Sequence, residues 1–299
     1  MASLSTAPPA PNWAPPAHTT TSRPDPPPTL PQQRRTLLTP TSTEQIPPHL
    51  SKAVLVIAFN AFALGALASW TLLPSLLALA RQLFFNPDSI VPPVLPSALK
   101  ACSSDGLAPW NRPQFGIYLG SWAVFHMLEF VITARYNPTR LFADSFLLQN
   151  GVGYHIAHGF AVCEFVLESY FFPCAKVPTA LTILGLGLML VGQAARSLAM
   201  VHAGNSFSHQ VAAYKREDHI LVTTGVYSIS RHPSYFGFFY WALGTQLMLA
   251  NPVSALGFAV VLYRFFSDRI QKEEGFLLRF FGKAYEDYRK RVPTLLPFI

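Results

Sequence analysis

Charge is what this 299-residue chain most lacks: only 12% of its residues are Asp, Glu, Lys or Arg. An average soluble protein carries about 25%. Too little charge remains to solvate a water-facing surface, which excludes an ordinary soluble domain. Cysteine is also scarce. Cys102, Cys163 and Cys174 are odd in number and have no close pairing, so spacing signals neither a disulfide framework nor a zinc site. The first 20 residues hold no apolar core, so no cleaved secretory signal is expected. What is abundant is uncharged sequence. Ala53 to Ala80, Val177 to Ala195 and Ser234 to Tyr263 run 28, 19 and 30 residues without a charge. About 20 apolar residues suffice for a helix to cross a bilayer. The chain is read as a polytopic, all-α integral membrane protein.

Residues 1–51 form a separate region, and 13 of the 27 prolines fall in its first 50 positions. Such a segment buries too little apolar area to offset its ordering entropy, so it reads as a disordered, proline-rich tail. Residues 52–201 read as transmembrane helices. They start near Lys52 and cover about 52–85 (with a kink or break near Pro74), 115–134, 145–172 and 177–201. Residues 202–299 hold a loop, a helical hairpin with arms at 234–250 and 253–266, and a basic C-terminal region. Asn251-Pro252 marks the hairpin turn. That makes about six crossings, and up to eight if the first long segment is two spans. Six crossings put both termini on one side. With that side cytosolic, Arg135, Arg140, Lys215, Arg216 and the basic C-terminus lie inside, as the positive-inside rule prefers.

The net charge of +7 does not point to nucleic acid. Eight of the 22 basic residues lie between Arg264 and Arg291 among five acidic ones, which reads as a juxtamembrane surface. Ionisable groups at membrane depth are costly, so each is examined for function. His126 with Glu129, and Glu164 with Glu168, sit at helical spacing; the simpler reading is polar clamps between helices. His155 and His158 are two ligands, and two ligands do not make a metal site.

The densest chemistry lies in HAGNSFSHQVAAYKREDHILVTTGVYSISRHPSY. Proline is well tolerated in a helix's first turn, so a helix starts around Pro233 with its free N–H groups facing this loop. Taken alone, Arg231-His232 reads as an interfacial cap. Arg269 and Glu273, four apart, share a helix face. The Asn-Pro turn would fold that face back beside Arg231-His232. A cation for an anionic ligand group and a carboxylate for a cationic one would then meet beside an apolar wall. Arg264, Asp268 and Lys272 form another staircase, best read as solvated.

The stretches GVYSISRHPSYFGFFYWALGTQLMLANP and YRFFSDRIQKEEGFLLRFFGKAYEDYRKRVPTLLPFI, with AGNSFSH and HILVTTGVY upstream, closely resemble the C-terminal half of isoprenylcysteine carboxyl methyltransferases. The likeness covers roughly residues 200–299; earlier segments fit only in hydropathy. RHPxYxG alone is shared with membrane sterol reductases and phospholipid methyltransferases, whereas its combination with DRxxxEE and RVPxxLPFI is specific. The resemblance implies methyl transfer from S-adenosylmethionine to the carboxylate of a C-terminal prenylated cysteine, in CAAX-processed proteins at the endoplasmic reticulum membrane. It places cofactor contacts on His219, Ile220, Leu221, Val222, Tyr227, His232, Pro233, Ser234, Tyr235 and Glu273. It places the substrate-carboxylate contact on Arg269. Arg269 and Glu273 are then the catalytic pair, and no metal is implied. Ala212 departs from the pattern, standing where animal members carry a cofactor-contacting glutamine.

A carboxylate is already ionised at neutral pH, so this chemistry calls for no general base. Lipid would hold the substrate's tail, and a tunnel between helices would receive it. Three rivals remain at this stage. A phospholipid N-methyltransferase would be poorly served by Arg269, because its acceptor is an amine. A sterol reductase would be longer and lack RVPTLLPFI. A transporter or channel using the buried glutamates would be expected to show internal repeats.

Overall fold

A computed structural model of the chain describes residues 50, 53–85 and 108–299. The proline-rich tail therefore lies outside the described residues, Leu50 apart. The described residues are helical, with no strand among them. Among the described residues seven α-helices follow one another: α1 Val54–Phe85, α2 Pro113–Tyr136, α3 Val152–Phe171, α4 Ala180–Ala203, α5 Pro233–Leu249, α6 Pro252–Phe281 and α7 Lys283–Arg291. By length and apolarity, α1, α2 and α4 each suffice to cross a membrane.

α1 runs unbroken through Pro74, where the sequence suggests a kink or break. Its Thr71, Leu72 and Ser75 lie against Gly116 and Gly120 of α2. This small-xxx-small spacing lets two backbones approach where no hydrophobic effect drives helices together. The same device joins α4 to α5. A Cβ at Gly192 would sit 2.4 Å from Trp241 N, and one at Gly237 would sit 2.5 Å from Arg196 N. Gly185 and Gly244 repeat the contact seven residues along each helix.

α3 begins at Val152, seven residues after the sequence places it. Residues Ala143–Phe146 form a separate 3-10 turn, and Leu147 takes a left-handed conformation that ends it. Packing decides the matter. The Phe146 ring stacks on Phe130 of α2 at 4.1 Å, and its carbonyl meets His126 Nδ1 at 2.6 Å.

Buried charges act as clamps, in keeping with the simpler reading of the sequence. Glu129 on α2 and Arg196 on α4 form a two-pronged pair at 2.5 and 2.9 Å. Arg196 Nη1 also donates to Ser234 Oγ on α5 at 2.9 Å. The Glu164 carboxylate on α3 accepts from the first free N–H groups of α6, Val253 at 2.8 Å and Ser254 at 2.7 Å. That is a favourable place for an anion. Lys176 does the converse at the end of α5: its ammonium donates to the carbonyls of Leu249 and Ala250 and pairs with Glu168. These two clamps hold the link Ala250–Asn251 between α5 and α6. Cys174, in the turn leading to Lys176, is disulfide-bonded, a pairing the spacing did not signal.

Candidate active site

α6 is 30 residues long, about 45 Å at 1.5 Å per residue. Its residues from Pro252 to Tyr263 carry no charge. Its second half carries Asp268, Arg269, Lys272, Glu273, Glu274 and Arg279. This charged half stands beside the loop that joins α4 to α5. Between them lies a cavity of about 800 Å³. All eleven residues singled out from the sequence line it: His219, Ile220, Leu221, Val222, Tyr227, His232, Pro233, Ser234, Tyr235, Arg269 and Glu273. Ala212 is not among its walls.

The cavity has two parts. The upper part is polar. Tyr235, two residues into α5, donates its hydroxyl to the Glu273 carboxylate and accepts from Arg269 Nε at 2.8 Å. Arg269 Nη2 donates to the His209 carbonyl. The loop residues 219–222 run without regular structure along the opposite wall. His219 packs its ring edge-on against Phe281, and its Nδ1 is buried with no hydrogen-bond partner. Burial, with Arg216 nearby, pushes the His219 imidazole below its usual value, so it stands neutral at cellular pH. Burial also raises the Tyr227 hydroxyl above its usual value, helped by the Glu273 charge. Its backbone carbonyl is held by the Tyr288 hydroxyl at 2.6 Å.

The lower part is apolar and descends between α3 and α6. Its lining includes Ala157 and Phe160 of α3, Gly257 and Val261 of α6, and Phe238 and Ala242 of α5. The Glu164 clamp on Val253 and Ser254 ties α3 to α6 at the foot of this slit.

Several functional neighbours escape sequence reasoning. Glu274 is the clearest. One residue past Glu273, it points about 100° away around the helix and binds Arg231 Nε at 2.6 Å and His232 Nε2 at 3.2 Å. Burial alone would raise the Glu274 carboxyl, but the His232 and Arg231 hydrogen bonds and the Arg231 charge outweigh it. The carboxyl is held down at about 2. Arg231 also donates to the Val292 carbonyl at 3.0 Å, and its own N–H donates to Pro293 at 2.9 Å. It therefore ties the C-terminal strap RVPTL to the head of α5, as a scaffold rather than a ligand group. The doubled glutamate was the available signal. His209 was missed as well: its ring lies 3.6 Å from Glu129 and 3.5 Å from Thr133 on α2, under the loop. Burial pushes its imidazole down to about 4. Arg264, Asp268 and Lys272 are exposed, as a solvated staircase should be.

Comparison with known proteins gives three findings. A family model described as the isoprenylcysteine carboxyl methyltransferase (ICMT) family matches residues 184–279. The protein-S-isoprenylcysteine O-methyltransferase of Saccharomyces cerevisiae is 49% identical over 201 residues, which are 65% of this chain and 84% of that protein. The Homo sapiens protein of the same name is 46% identical over 190 residues, 64% of this chain and 66% of its own. Among solved structures, the eukaryotic intramembrane Ras methyltransferase ICMT, without a monobody, superimposes with a TM-score of 0.64. It is 30% identical, and the match covers 85% of this chain and 99% of that one.

Proposed function

This chain belongs to the isoprenylcysteine carboxyl methyltransferase family, and from that premise we propose that it methylates the C-terminal carboxylate of prenylated cysteine in CAAX-processed proteins. The methyl donor in this reading is S-adenosylmethionine. The observation that carries the reading is the cavity itself: a polar head walled by Glu273, Tyr235 and Arg269 continues into an apolar slit between α3 and α6. A farnesyl- or geranylgeranyl-cysteine has that same polarity, a carboxylate on a hydrocarbon chain.

The walls suit the cofactor. The unpartnered His219 Nδ1 and the backbone of residues 219–222 offer polar edges for a base, and the Glu273 carboxylate offers a partner for a cation. His232, Pro233, Ser234, Tyr227 and Tyr235 complete that wall. When bound, S-adenosylmethionine would supply a methyl group already activated by its positively charged sulfur, so an ionised carboxylate could accept it with no proton transfer. The chain's own groups therefore need only orient and exclude water. Arg269 aligns the cysteine carboxylate through charged hydrogen bonds, and Glu273 fixes the donor beside it. Alignment of two reactants can contribute about 7–11 kcal/mol of a barrier. The slit takes the isoprenoid, each buried methylene stabilising by about 0.8 kcal/mol.

In this reading α1 to α5 and the first half of α6 cross the membrane, α5 and that half as a hairpin, with residues 1–51 a cytosolic tail and the site, including the charged half of α6, at the cytosolic face of the endoplasmic reticulum membrane. The disulfide at Cys174 supports that orientation. It lies at the end of α3 and start of α4, opposite the site, where an oxidising lumen would be.

The test is direct. Purified protein is incubated with methyl-labelled S-adenosylmethionine and either N-acetyl-S-farnesylcysteine or phosphatidylethanolamine. Base-labile label on the cysteine analogue is expected. Label on the lipid, or none on the cysteine, overturns the reading.

A further inference from the structure

A guanidinium offers a carboxylate two edges: a side edge made by Nε and one terminal nitrogen, and an end made by both terminal nitrogens. In Arg269 two of these donor nitrogens already have acceptors. Nε donates to the Tyr235 hydroxyl at 2.8 Å, and Nη2 donates to the backbone carbonyl of His209. The Tyr235 hydroxyl bridges two charged groups. It accepts from Arg269 and donates to Glu273, so its polarity is fixed by a cation on one side and an anion on the other. The His209 ring sits between Glu129 and Thr133 of α2, and Glu129 is gripped by Arg196. Of the two partners of Arg269, Tyr235 stands on α5 and His209 on the loop packed against α2.

We propose that Tyr235 is a positioning residue: with the His209 carbonyl it fills the side edge of Arg269, so that the guanidinium presents only its end, Nη1 and Nη2, to the prenylcysteine carboxylate. This rests on the reading of Arg269 given above and adds the direction from which the carboxylate is held. It also separates two duties of one tyrosine. Its ring is a wall of the cofactor space, stacked parallel to His232, whereas its hydroxyl serves the acceptor substrate.

A double-mutant cycle tests this, because a residue acting through another loses its effect when that other is gone. Binding of N-acetyl-S-farnesylcysteine and of S-adenosylmethionine is measured on the full chain in detergent for wild type, Tyr235→Phe, Arg269→Ala and the double variant. Tyr235→Phe should weaken prenylcysteine binding about tenfold, the scale of one charge-assisted hydrogen bond. The same change in the Arg269→Ala background should cost under about twofold, since the partner is absent. Cofactor binding should stay within about threefold, because the ring remains. His209→Ala, which removes the ring under the loop but not the carbonyl, should weaken prenylcysteine binding in the same direction. An equal loss in both backgrounds, no loss at all, or a loss concentrated in cofactor binding through Glu273 overturns the inference. Wild type that neither binds nor methylates the prenylcysteine overturns the proposed function itself, a separately readable failure.

Discussion

Replacing Gly237 by alanine adds one methyl group where no room exists. The new Cβ would lie 2.5 Å from Arg196 N and 2.6 Å from Gly192 O, about 0.9 Å short of an ordinary 3.4 Å contact. Both obstacles are backbone atoms of α4, so no side chain can swing aside; the helices themselves must part. Overpacking of this kind costs about 1–3 kcal/mol. Against it stands the gain of about 0.5–1 kcal/mol from replacing a helical glycine by alanine. A net loss of roughly 1 kcal/mol, with an upper bound of about 2.5 kcal/mol, follows. Activity should fall further than stability. Arg196 and Ser234 flank the strained contact and line the cavity, and a shift near 1 Å in a site can cost about a hundredfold. Gly187, on the same α4 helix, is the control, since its Cβ would meet nothing within 4 Å. Gly187→Ala should leave turnover intact and raise the melting temperature slightly. Thermal unfolding in detergent and kcat/KM on a prenylcysteine read both variants. If Gly237→Ala is neutral, or no worse than Gly187→Ala, the close α4–α5 approach is not what supports the site.

Removing the carboxylate of Glu129 by Glu129→Ala leaves Arg196 buried and unpaired, which should cost about 3–5 kcal/mol by chemical unfolding; a loss under 1 kcal/mol would show that water or another group satisfies the guanidinium. Acid should weaken the protein in two stages. His209 is depressed from its ordinary 6.5 to about 4, so its contribution is present above pH 6.5 and is lost as pH falls from there toward 4. Glu274, at about 2 against an ordinary 4.5, contributes above pH 4.5 and loses that contribution as pH falls toward 2. The unfolded state binds more protons in both windows, so stability falls with acidification. Glu274→Gln should make the lower stage shallower and His209→Ala the upper one, to which the half-buried His219 also contributes; unchanged slopes in these variants refute the assignments. Glu164→Gln, which removes the charge at the head of α6, should cost about 0.5–2 kcal/mol without changing cofactor affinity, as titration of the solubilised variant would show.

Much of the helical plan is visible in the chain because long apolar runs, Pro233 and Asn251-Pro252 act locally. The start of α3 is not, because Phe146 belongs to the apolar run by sequence but to a plug beneath α2 by packing. The site divides the same way. His219 to Val222, RHPSY and the Arg269/Glu273 pair carry recognisable spacing, and the fold gathers them around one cavity. Glu274, Arg196 and His209 carry no such spacing. Glu274 meets Arg231 43 residues away, Arg196 meets Glu129 67 away and His209 meets Thr133 76 away, so only tertiary structure brings them together. Adjacent glutamates look equivalent in a string; a turn of 100° per residue sends one to the cavity and the other to the scaffold.

The central claim is that one cavity holds the methyl donor and the prenylcysteine carboxylate side by side, with Arg269 serving the second. Arg269→Ala should reduce methyl transfer to N-acetyl-S-farnesylcysteine by at least about a hundredfold, the scale of losing a charged hydrogen-bond pair. Affinity for S-adenosylmethionine, measured on the same preparation, should stay within about threefold. Parallel loss of transfer and of cofactor binding would contradict that division of labour.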